Sequence, residues 1–75
     1  MVELLTHRER EIVLLVFRGY SAKEIARQLG IANRTVEHHI SNLRCKFHAR
    51  NTAHLVALAI AYMNAEQSVT LLTAA

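Results

Sequence analysis

The chain has 75 residues, 52% of them apolar, with two glycines and no proline, and it carries a formal net charge of +3. That is one small domain, too apolar for disorder through its body and short enough to bury only about 60–65% of its unfolded surface. Abundant Ala, Leu, Ile, Arg and Glu favour an all-helical fold. The charge is unevenly placed. Residues 21–50 hold Lys23, Arg27, Arg34, Arg44, Lys46 and Arg50 against Glu24 and Glu37, a net of +4, which leaves −1 elsewhere. Basic charge gathered on one stretch is the footprint of a polyanion-binding face, although ordinary solvated helix surface has the same composition.

Thr6-His7-Arg8-Glu9 has the form of a capping box, in which the Thr6 hydroxyl accepts from the Glu9 amide and the Glu9 carboxylate accepts from the Thr6 amide. The first helix is expected to run to about Arg18 and stop at Gly19, burying Ile12, Leu15 and Val16, with Val13 and Phe17 widening that face. Ser21-Ala22-Lys23-Glu24 repeats the box and opens a second helix, which turns Ile25, Ala26 and Leu29 inward and ends at Gly30.

A third helix is expected from Asn33 or Arg34. Val36, Ile40, Leu43 and Phe47 recur at 4-3-4 spacing as a core stripe, and Arg34, Glu37, His38, Ser41, Cys45 and His48 occupy the opposite side. His39 falls at the edge of the core stripe. Arg50-Asn51-Thr52 marks the next break, with Asn51 or Thr52 as N-cap, and a fourth helix is expected from about Ala53 to Asn64. It is apolar almost all round: Leu55, Leu58 and Tyr62 lie on one side, and Val56, Ala59, Ile60 and Met63 on another. A small core cannot cover all of it. The surplus face, Val56, Ala59, Ile60 and Met63, is expected to pair with a second copy of the same helix, the alternative being a helix tucked deeper into the core. The reading therefore divides the chain into a domain over residues 1–65 and a C-terminal extension over 66–75, in which Ser68-Val69-Thr70-Leu71-Leu72 has strand-like content but no identifiable strand partner, so that the tail is expected either to extend the fourth helix loosely or to fray.

A short helix, a glycine turn and a longer helix with opposed stripes form a unit that can lay its second helix in the major groove of DNA. In that placement Glu37, His38 and Ser41 reach base edges: Glu37 can accept from the N4 amine of cytosine, and His38 can bond a purine N7 or O6. Arg34, Arg44, Lys46 and Thr35 are placed for phosphates. Catalysis and metal binding lack their parts. The six glutamates are scattered, there is no aspartate, and His38 and His39 point about 100° apart on a helix. No Cys-x-x-Cys or His-x-x-x-His pair starts a zinc site, so no metal, cofactor or enzymatic activity is expected. Cys45 is a single thiol, which suits a reducing cytoplasm; no signal peptide is visible, and the run Ile12–Phe17 is far too short for a bilayer, so no membrane association is expected.

The sequence resembles the LuxR-type helix-turn-helix domain of bacterial transcription factors, also called the FixJ/NarL or GerE type. The resemblance is carried by Leu5-Thr6-x-Arg8-Glu9-x-Glu11, Gly19-x-Ser21-x-Lys23-Glu24-Ile25-Ala26-x-x-Leu29-Gly30-Ile31, Thr35-Val36-x-x-His39-x-Ser41-Asn42-Leu43-x-x-Lys46-Phe47 and Arg50-Asn51, without a gap over residues 4–63. It implies an all-α, four-helix bundle with a central helix-turn-helix and no wing, the third helix serving for recognition. It also implies a homodimer through the fourth helix, bound to double-stranded DNA at a two-fold related operator, with RNA polymerase as a further candidate partner. Base contacts then fall to Glu37, His38 and Ser41, and phosphate contacts to Lys23, Thr35, Lys46 and amides at helix starts.

Three positions depart from the pattern. Ala32 stands where a Ser or Thr usually caps the recognition helix, and Asn33 is the expected replacement, shifting the start by one residue. Glu37 is acidic where many relatives carry a basic residue. His48 replaces a common glycine, so its turn is either built without left-handed geometry or strained. A protein-interaction module using the same helices is the competing reading, motivated by the apolar fourth helix and the acidic Glu37.

Overall fold

Helices form almost everything in the computed structural model, which describes residues 5–74, with side chains described over 5–66. They are α1 (His7–Phe17), α2 (Ala22–Leu29), α3 (Asn33–Phe47) and α4 (Thr52–Ala74), and no strand occurs among the described residues. The all-α, four-helix architecture expected from the sequence is the one observed. Met1–Leu4, the stretch read for a signal peptide together with Leu5, lies outside the described residues, as does Ala75.

Both capping boxes form. The Glu9 amide donates to the Thr6 hydroxyl at 3.2 Å and the Thr6 amide to Glu9 Oε1 at 3.0 Å. Around Ser21 and Glu24 the same two bonds measure 3.2 and 2.9 Å. Gly30 closes α2 at φ 68°, where its amide donates to the Ala26 carbonyl and the next amide, that of Ile31, donates to the same oxygen at 3.0 Å. A left-handed residue turns the chain sharply enough for α3 to begin three residues later.

The start of α3 differs from the expectation. Ala32, not Asn33, is the N-cap, with extended backbone (φ −71°, ψ 147°), and no side chain bonds the helix start. Asn33 already has helical geometry, which turns its side chain away from the cap position. At the other end His48 adopts the left-handed region, φ 54° and ψ 39°, the only described non-glycine residue to do so. The strained alternative is therefore the observed one: the amides of His48 and Ala49 both donate to the Arg44 carbonyl, and that closure needs a left-handed residue.

α4 also departs from the expected bounds, running without a break from Thr52 to Ala74. Both glycines precede it and the chain has no proline, so nothing in the sequence stops the helix at Asn64. The strand-like content at 68–72 is overridden by helical continuity. Glu66 fastens the α4 helix to α1, its carboxylate meeting the Arg10 guanidinium at 2.7 and 2.9 Å.

The buried side chains form two clusters. Leu5, Val13, Leu43, Leu55 and Ala59 make one, and Ile12, Ile25, Ala26 and Val36 the other, with Ile40 of α3 packed against both. Phe47 and Tyr62 meet edge to face beside the first cluster, centroids 6.0 Å apart. Two sequence readings are corrected here. Phe17 does not widen the core face of α1: it is 61% exposed, because the apolar run on that helix is broader than the surface α2 and α3 cover. Ala59 does not lie on a free face of α4 either. It is fully buried, one turn beyond Leu55, where its small side chain lets α4 approach the rest of the bundle closely.

One buried carboxylate joins the first helix to the third. Glu9 is 6% exposed, and besides capping α1 it accepts from Lys46 Nζ at 2.7 and 3.0 Å. Burial pushes its carboxyl up, but the Lys46 ammonium and the bonds from Thr6 outweigh this and hold it below the usual carboxylate range. The stability Glu9 contributes is in place above the pKa of the same group in the unfolded chain, and it is lost as pH falls through the lower folded value. We expect acid titration of unfolding stability to show this loss below about pH 4.5, and Glu9→Gln to flatten it while lowering stability at pH 7 by about 1–3 kcal/mol. An unchanged acid limb in Glu9→Gln would place the carboxylate outside the linkage. His48→Gly is expected to stabilise the fold by about 1 kcal/mol, because glycine adopts the left-handed region without the Cβ penalty. A melting temperature raised by about 4–8 °C is the corresponding readout.

Candidate nucleic-acid interface

The outward side of α3 follows from what its inward side must cover. Val36 and Leu43 are fully buried, Ile40 and Phe47 half-buried, and α2 packs against this face from one direction while α1 and α4 close the others. At about 100° per residue, Arg34, His38, Ser41 and Cys45 fall within a narrow stripe opposite the core, with Glu37 along one flank. Arg34, Glu37, His38, Ser41 and Cys45 are all exposed. The three residues assigned to base reading thus share one uncovered face. His39 is half-buried at the edge of the core stripe, as the pattern indicated.

The expected phosphate set divides. Lys23 on α2 and Arg34 and Thr35 at the start of α3 are exposed, and Lys23 and Arg34 form no ion pair among the described residues. Arg44 is exposed, but its Nη2 donates to the Arg50 carbonyl at 3.1 Å, which anchors it over the turn after α3. Lys46 faces α1 and is held by Glu9. Its first task is to fasten α3, and the motif spacing gave no sign of it because the two residues stand 37 positions apart.

Ser41, Arg44, Cys45, His48 and Ala49 line an open concavity of about 610 Å³ on the outer side of α3. Among the described residues no group of three or more His, Cys, Asp or Glu side chains is placed to hold a metal ion, and no helix is long and apolar enough to cross a membrane.

On α4, Val56, Ile60 and Met63 are half-buried, and Ile60 and Met63 also lean on the first core cluster. With Ala59 withdrawn into the core, Val56, Ile60 and Met63 are what remains of the apolar face expected to be in surplus.

Residues 3–59 match the family model for GerE, bacterial regulatory proteins of the luxR family. The response regulator protein VraR of Staphylococcus aureus is 41% identical over 59 residues, which is 79% of this chain and 28% of the relative; the VraR protein of Staphylococcus epidermidis matches to the same extent. The chain therefore spans little more than a quarter of these curated relatives. Among solved structures, that of the transcription factor GerE superposes with a TM-score of 0.78 at 39% identity, covering 81% of this chain and 91% of GerE. A Vibrio cholera VqmA structure, a complex with ligand and DNA, gives a TM-score of 0.72 at 37% identity over 83% of this chain and 27% of that one. With the two capped helices, the glycine turn and the exposed stripe of α3 all in place, the chain belongs to the luxR family of bacterial regulatory proteins, and its fold is the helix-turn-helix of that family's DNA-binding transcription regulators.

Proposed function

We propose that the chain binds double-stranded DNA sequence-specifically and regulates transcription in the bacterial cytoplasm, as a dimer on a two-fold related operator with α3 in the major groove. The observation that carries this reading is the bare outer stripe of α3, where Arg34, Glu37, His38 and Ser41 are exposed while the opposite side of the same helix is locked into both core clusters. A helix held rigidly from behind and left uncovered in front can enter a groove without rearranging the fold. A VqmA protein of the same fold is described in complex with DNA, and that supports the reading by likeness.

In this placement Glu37, His38 and Ser41 read bases. Glu37 accepts from cytosine N4, and its charge disfavours groups that offer only acceptors. Lys23, Arg34 and Thr35 contact phosphates, joined by Arg44 from its place over the turn. Lys46 adds positive potential near the backbone while bonded to Glu9. Val56, Ile60 and Met63 supply the contact with a second copy, and the separation of the two α3 helices in that dimer sets the half-site spacing. RNA polymerase is the further partner this reading implies.

Two contrasts test it. Arg34→Ala is expected to weaken binding to operator and random duplex alike and to reduce the slope of log affinity against log salt by about 1. Glu37→Ala should change the preferred base at one position, at about 1–3 kcal/mol, with little effect on random duplex. Selection from a random DNA pool followed by titration at several salt concentrations measures both, and equal losses on all sequences for Glu37→Ala would remove it from the reading face. For the dimer, Val56→Glu is expected to leave the fold intact and abolish two-site occupancy. In sedimentation with an operator duplex the native chain should bind two copies and the variant one; two copies in both would move the interface away from α4.

A further inference from the structure

The start of α4 is capped much as α1 and α2 are, but the returning bond uses a different acceptor and reaches the residue before the cap. Asn51 Oδ1 accepts the His54 amide at 2.8 Å, the role Thr6 and Ser21 play for their helices. At α1 and α2 the returning bond comes from a glutamate. Here it comes from an imidazole, whose Nδ1 accepts the Arg50 amide at 3.0 Å. Arg50 is held at its carbonyl too, which accepts from Arg44 of α3 at 3.1 Å. A single residue between α3 and α4 is thus gripped at its amide and at its carbonyl by one side chain from each helix.

An imidazole accepts at Nδ1 only while that nitrogen carries no proton. Carboxylate caps stay charged far below neutrality, whereas imidazole is the side chain that changes charge between about pH 5 and 8. We propose that the α3–α4 joint is a proton-operated latch. With neutral His54 the joint is closed. Protonation turns Nδ1 into a donor facing the donor N–H of Arg50, the turn opens, and the Arg44 anchor at the end of α3 loosens with it.

Charged and titratable groups stand on both sides of the joint. On the α3 side stand Arg44, Cys45 and, at the helix cap, His48, which line one concavity with Ser41 and Ala49, and the turn itself carries Arg50. The described ion pair between α1 and α4 lies farther along α4, at Arg10 and Glu66. The consequence for DNA rests on the reading of Arg44 as a phosphate contact: the position of that guanidinium becomes dependent on a proton bound to another helix.

Amide hydrogen exchange of the chain without DNA, followed by NMR from pH 5 to 8 and corrected to protection factors, reads the latch independently of any DNA-binding role. In the native chain, protection of the Arg50 amide is expected to fall about fivefold toward pH 5, the loss of one capping bond. In His54→Gln, whose amide oxygen keeps an acceptor that does not titrate, protection should stay level, and in His48→Gly the fall should persist. Level protection in the native chain, a fall that survives in His54→Gln, or one that vanishes in His48→Gly would each overturn the proposal.

Discussion

The arrangement of this domain depends on the Glu9 carboxylate. It accepts the Thr6 amide at the start of α1 and the Lys46 ammonium near the end of α3, and it does so almost out of solvent. Three-point satisfaction of a buried charge is what makes its burial tolerable, since a carboxylate left with one partner would carry an uncompensated desolvation cost. The beginning of the first helix and the last turn of α3 are thereby held together, which fixes the direction in which the outer stripe of α3 faces. Lys46 changes character accordingly. A lysine that the basic stretch suggested for phosphate is first a tether, and its ammonium sits in a fixed position rather than on a searching side chain.

The elements written locally could be read from the sequence. Capping boxes at Thr6 and Ser21, the left-handed glycine at Gly30 and the 4-3-4 stripe of α3 are set by neighbours within four residues, and each was found in place. What the sequence did not show belongs to longer distances or to competition between surfaces. The Lys46–Glu9 bond links positions too far apart for any periodic pattern. Ala59 and Phe17 changed sides because burial depends on which apolar face the neighbouring helices have room to cover, and an alanine fits a close helix crossing where a phenylalanine does not. α4 outran its expected end because no glycine or proline stops it and Glu66 reaches a partner on α1.

The candidate site was legible in the same measure. Glu37, His38 and Ser41 share one exposed face, Glu37 at its flank, because the helical period alone dictates it once the core stripe is known. The roles of Arg44 and Lys46 were not, because each makes a bond to another part of the fold that competes with the solvent-facing role its charge suggests. Ala32 and His48, the two departures at the ends of α3, show the fold absorbing local irregularity. One end goes without a side-chain cap and the other takes a left-handed residue, yet the helix between them keeps its register.

That tolerance has a source in Ile40, the one α3 side chain packed against both clusters. Two cores of four or five buried residues are each too small to hold together alone, and a chain built from them is at risk of coming apart in pieces. Sharing a side chain makes them a single cooperative unit with α3 at its centre. Elements that bind ligands are often drawn from the labile end of a structure; here the helix with the uncovered face is also the keystone, so the surface it presents persists for as long as the domain is folded at all.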